Sequence, residues 1–61
     1  MKLSEQIKAA QREVAIREAT YPAYVGDGSM SQSFADHEIE AMRCIVNALK
    51  ALEQFLEGFE R

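Results

Sequence analysis

The sequence of 61 residues holds one cysteine, one proline, one histidine and three glycines. A single cysteine, Cys44, excludes an internal disulfide, which needs two suitably placed thiols. No apolar run approaches the ~20 residues of a membrane-spanning helix, so no membrane partner is expected. The opening MKLSEQIKAA lacks an apolar core segment, and no signal peptide is expected. A free thiol without a secretion signal points to the cytosol. Basic residues are few: seven Lys and Arg against ten Asp and Glu, a net charge of -3. A sequence-independent grip on nucleic-acid phosphates needs a basic surface, so nucleic acid is not an expected partner. The acidic excess is also too small and too mixed to favour a DNA mimic.

What is present is helical. The chain is 48% hydrophobic and 28% charged, the balance of a folded domain rather than a disordered one. A chain this short is marginal as a monomer and usually needs a disulfide, a metal or further copies. With no disulfide and few metal ligands, oligomerisation is the expected route to stability.

Leu3, Ile7, Ala10, Val14, Arg17 and Tyr21 follow 4-3-4-3-4 spacing, a heptad seam that predicts a first helix over about 3–20. Pro22 cannot donate a backbone hydrogen bond and disfavours helix in the residue before it, which predicts the stop. A bend over 21–31 follows, where Gly26 and Gly28 offer two positions for positive φ. Ser31 is the expected N-cap of a second helix over about 32–57, with Gly58 fraying or capping its end.

The second helix carries two apolar stripes. One holds Ala35, Ile39, Met42, Val46, Leu49 and Leu56, interrupted by Glu53. The other holds Phe34, Ala41, Ile45, Ala48, Leu52, Phe55 and Phe59, interrupted by Glu38. One antiparallel partner covers one stripe only. The expected fold is therefore all-α: an antiparallel hairpin of two helices that oligomerises into a helical bundle.

Few residues suggest chemistry. Arg17 sits on the seam, where it either packs its stem while the guanidinium snorkels to water or pairs with a glutamate, or faces the bend as an anion clamp. Arg43 comes from the second helix and would approach from the other side in an oligomer. Tyr21 and Tyr24 flank the proline and either plug the end of the core or stack on a planar ligand. Arg17, Tyr21, Tyr24 and Arg43 are thus the candidate ligand-binding residues. His37, Glu40 and Cys44 share a helix face, but three ligand types without a second cluster are a weak basis for zinc, and no metal or cofactor is expected. Cys44 lies mid-helix among apolar neighbours, where a thiol is normally inert. There is no phosphate loop, and Glu38 and Glu40 point apart, so no catalytic constellation is visible and no enzyme is expected.

The bend also carries a resemblance. Arg17-Glu18, Tyr21-Pro22 and Val25, then Gly28, Met30 and Ser31, then Ala35-Asp36, Glu38-Ile39 and Met42 fit the pattern R-E-x-x-Y-P-x-x-V, G-x-M-[ST], A-D-x-E-I-x-x-M. That segment, about half the chain, resembles a family of short proteins encoded by tailed bacteriophages and prophages. Many members carry tryptophan where this chain has Tyr24 and a basic residue where it has Ala23. The resemblance implies a phage accessory protein made in the bacterial cytosol. The expected function is non-catalytic: a counter-defence binder acting as a homo-oligomer, either sequestering a nucleotide-like immune signal or blocking a host defence protein. The alternative is a scaffolding oligomer for phage assembly without a small ligand.

Overall fold

The computed structural model describes residues 1–59. Helix α1 spans Leu3–Gly26 and helix α2 spans Gln32–Phe59. They pack against each other as a hairpin, with no strand among the described residues. At 1.5 Å per residue they are about 36 and 42 Å long.

The expected seam is the packed face of α1. Ile7 and Ala10 are buried, and Leu3, Val14, Arg17 and Tyr21 are half-buried. In α2, Ala35 and Val46 are buried and Ile39, Met42 and Leu49 half-buried, so α1 covers the first of the two stripes as far as Leu49, and Leu56 stays exposed.

The stop at Pro22 is corrected. Proline lies inside α1, which runs six residues past Thr20. Proline deprives the Glu18 carbonyl of its amide partner, yet its fixed φ is itself helical. Val25, four residues after Tyr21, is half-buried and continues the seam, so packing on α2 keeps the chain helical through the defect. The bend is accordingly shorter than expected, confined to the residues between Gly26 and Gln32.

The actual stop is a Schellman motif. Ser29 N–H donates to the Tyr24 carbonyl at 2.9 Å and Gly28 N–H to the Val25 carbonyl at 3.2 Å. Gly28 has φ +83°. Of the two glycines expected to supply positive φ, only Gly28 does, because Gly26 is still helical. Asp27 accepts from Ser29 N–H at 2.8 Å, tightening the turn. Ser31 then caps α2, its Oγ accepting from Phe34 N–H at 3.1 Å. At the far end α2 continues through Gly58 to Phe59, so the glycine expected to close the helix lies within it.

Side chains turn by 100° per residue along a helix, which gives the hairpin two unlike flanks. Arg17 and Glu18 are consecutive and point to opposite sides of the seam. Arg17 reaches Glu38 on one side, and Glu18 meets Arg43 on the other. By the same phase, Lys8, Gln11, Arg43 and Lys50 share the Glu18 side. Tyr24, Phe34, Ile45 and Leu52 share the Arg17 side, and all four are exposed. The hairpin is polar on one flank and apolar on the other.

Among the described residues four make the buried core, two of them alanines, and no large side chain is fully buried. The surface is 4600 Å², against about 4,000 Å² for a compact monomer of this size. The radius of gyration is 14.6 Å, against about 10 Å for a globule of this length. The second stripe of α2 is left uncovered: Ile45 is 48% exposed, Phe55 68% and Phe59 80%.

Candidate functional site

The bend end of the hairpin gathers Arg17, Tyr21 and Tyr24. Arg17 comes from the seam of α1, one turn before Tyr21, and its guanidinium lies 5.9 Å from the Tyr21 ring centroid. The two tyrosine rings are 6.3 Å apart and tilted by 47°. Tyr21 is half-buried against the seam, whereas Tyr24 is exposed. The first therefore plugs the core end, and the second offers a free aromatic face.

Arg17 is engaged within the hairpin through two of its three guanidinium nitrogens. Its Nε donates to Glu13 Oε1 at 2.9 Å, and its Nη1 donates to the backbone carbonyl of Glu38 at 2.8 Å. The Glu38 carboxylate adds an ion pair at 3.9 Å. With 21% of its side chain exposed, Arg17 combines the packed stem and the glutamate pairing that its seam position allows. The Glu13 hydrogen bond, opposed by burial and aided by the Glu13 and Glu38 charges, holds the guanidinium above its ordinary value. An anion entering here would have to displace or face two carboxylates.

Arg43 is not part of this group. It sits on the polar flank, with Nη2 3.1 Å from Glu18 Oε1 and Nη1 3.9 Å from Glu40 Oε2. It lines an open hollow of about 220 Å³ with Gln11, Val14, Val46 and Asn47. That is below the ~300 Å³ at which small-molecule pockets begin. The structure thus joins three of the four candidate residues and puts the fourth on the opposite flank.

Two features were not anticipated from the sequence. Glu13 is an Arg17 partner whose i, i+4 spacing is a readable signal. The backbone carbonyl of Glu38 is the other, and no sequence pattern announces it. Cys44 is exposed rather than enclosed by apolar neighbours, with Sγ 3.8 Å from Glu40 Oε1. Among the described residues no three His, Cys, Asp or Glu side chains gather as a metal site would require.

The chemistry on offer is therefore that of a contact surface: an exposed tyrosine at the bend, an apolar flank running to Phe59, and two candidate arginines already paired with carboxylates. Compared with known protein families, characterised proteins and solved structures, the chain matches none.

Proposed function

We propose that this chain is a non-catalytic phage accessory protein that assembles with further copies of itself and acts by protein contact, blocking a host defence protein. The phage setting rests on the resemblance carried by the segment from Arg17 to Met42. The mode of action rests on one observation, the uncovered apolar flank of α2 from Phe34 to Phe59. Monomeric soluble proteins rarely leave a contiguous apolar strip of this kind in water, and such strips mark association surfaces. Self-assembly through it supplies the core that the lone hairpin lacks. Tyr24 at the bend then remains as an aromatic anchor for a target, a residue type that dominates protein interfaces.

Sequestration of a nucleotide-like signal is the less favoured version. It asks Arg17 to leave Glu13 and the Glu38 carbonyl, and Arg43 to leave Glu18. A scaffolding oligomer for phage assembly is the second reading. It is favoured by the same engagement of Arg17 and Arg43, the two candidate anion-binding cations, with carboxylates of the hairpin itself.

Native mass spectrometry of the gently purified protein tests these readings, before and after addition of cyclic and linear nucleotides. The expected result is a discrete oligomer whose mass does not change. Mass additions matching a nucleotide on each oligomer would replace protein contact by sequestration. A monomer at all concentrations would overturn the assembly.

A further inference from the structure

The exposed stripe of α2 is complementary to itself in one orientation. From Ala41 it steps by four and three residues through Ile45, Ala48, Leu52, Phe55 and Phe59, the spacing of a packing seam. Its centre alternates small and large: Ala41, Ile45, Ala48, Leu52. Two such stripes laid parallel and in register would place alanine on alanine at two levels and leave voids there. Laid antiparallel about a two-fold axis between Ile45 and Ala48, they interdigitate. Ala48 then meets Ile45 of the partner subunit, and Ala41 meets Leu52 of the partner subunit.

The same register holds to both ends. Phe59 falls opposite Phe34 of the partner subunit. Phe55 falls opposite Glu38 of the partner subunit, the one polar break in the stripe. That break is tolerable because Arg17 lies 3.9 Å from the Glu38 carboxylate, so the charge already has its counter-ion.

Helix phase agrees. The covered and uncovered stripes of α2 lie roughly a quarter turn apart at 100° per residue, as each helix of a four-helix bundle requires for its two neighbours. The available surface agrees as well. The hairpin measures 51 × 18 × 13 Å, and a flank with that long outline is of the order of the ~800 Å² per partner buried in a standard interface.

We propose that two copies of this chain dock through this stripe as an antiparallel two-fold dimer, each α2 packing on the partner's α2. The contact is isologous and therefore closes at two copies. It also brings the C-terminal end of α2 beside the bend of the other copy, so each Phe34 is covered by Phe59 of the partner subunit. The inference deepens the assembly reading above and rests on it.

Disulfide trapping tests the register. In a Cys44→Ser background, Ala41→Cys and Leu52→Cys are introduced together and singly, then oxidised gently and resolved without reductant. The antiparallel pairing sets 41 against 52 but separates 52 from 52 by about 16 Å, far beyond the ~7 Å limit for a disulfide. The double variant should therefore give about tenfold more covalent dimer than either single variant. Trapping by Leu52→Cys alone, as strong as in the double variant, would overturn the antiparallel order in favour of a parallel one. Sedimentation of the unmodified chain separates the two levels of the claim. A monomer at ~100 µM, a concentration at which even weak self-association is populated, would sink assembly altogether. An oligomer whose double variant does not cross-link would sink only this pairing.

Discussion

Arg17 donates from Nη1 to the backbone carbonyl of Glu38 at 2.8 Å, fastening the seam of α1 to the middle of α2. A helical carbonyl normally serves one amide four residues on, and here its second lone pair takes a guanidinium from the other helix. The bond explains why a cation occupies a seam position, and the 3.9 Å ion pair of the same guanidinium with the Glu38 carboxylate accounts for an acid interrupting the apolar stripe. Arg17→Ala removes this bond and the Glu13 bond together. The expected loss is about 1–2 kcal/mol, below the full value of charged hydrogen bonds because the side chain is partly exposed. Arg17→Lys should recover only part, since an ammonium lacks the planar fork that reaches both acceptors. Urea unfolding at one fixed protein concentration checks the order Arg, Lys, Ala. Equal stability of all three would show that the bridge contributes nothing.

The glycines of the bend should respond in opposite directions. Gly28 has φ +83°, and nothing lies within 4 Å of the place an alanine methyl would take, so Gly28→Ala meets no clash but adopts a left-handed backbone. Its expected cost is about 1 kcal/mol. Gly26 is helical and equally uncrowded, so Gly26→Ala should stabilise by roughly 0.5–1 kcal/mol. Thermal unfolding of the two variants at matched concentration reads both signs.

The turn should also loosen in acid. Ser29, through its hydroxyl and its backbone N–H, holds the Asp27 carboxyl below its ordinary value of 3.8. A depressed folded value means that stability is present above the unfolded value and is lost as pH falls through the folded one. The group is exposed, so the effect is local rather than global. The Ser29 amide shift, followed by NMR, should titrate with a midpoint below 3.8, and Asp27→Asn should abolish that titration. A midpoint at or above the ordinary value would show that the Asp27–Ser29 bond does not form in solution.

Much of the hairpin is legible in the sequence because periodicity reports packing directly. Leu3, Ile7, Ala10, Val14, Arg17 and Tyr21 read as a seam and are the packed face of α1. Ser31 reads as an N-cap and is one. The Pro22 stop misleads because a local rule competes with a tertiary one. Val25, one turn after Tyr21, keeps an apolar residue on the packed side past the proline, and the Schellman hydrogen bonds at Tyr24 to Ser29 supply a better-satisfied end. At the candidate site, the meeting of Arg17 with Tyr21 follows from their i, i+4 spacing. The Glu38 carbonyl does not, since a backbone acceptor has no sequence signature. The separation of Arg43 from Arg17 depends on helix phase across the hairpin, which is fixed only once the bend and the seam are both known.

Assembly through the apolar flank makes stability depend on concentration, because association favours the folded chain by mass action. The unmodified protein should therefore melt at a higher temperature as its concentration is raised. Leu52→Glu places a carboxylate at the centre of the proposed contact, facing the partner's alanine with no cation near it. Burying it unpaired should raise the dissociation constant ~100-fold or more. Lys50→Glu makes a larger change of charge two residues away, but on the polar flank. It should leave the dissociation constant nearly unchanged. The pair separates a surface-specific effect from one of net charge, and analytical ultracentrifugation across a concentration series reads it. If Lys50→Glu dissociates the assembly and Leu52→Glu does not, the polar flank is the contact and the apolar stripe must be covered by something other than a second copy.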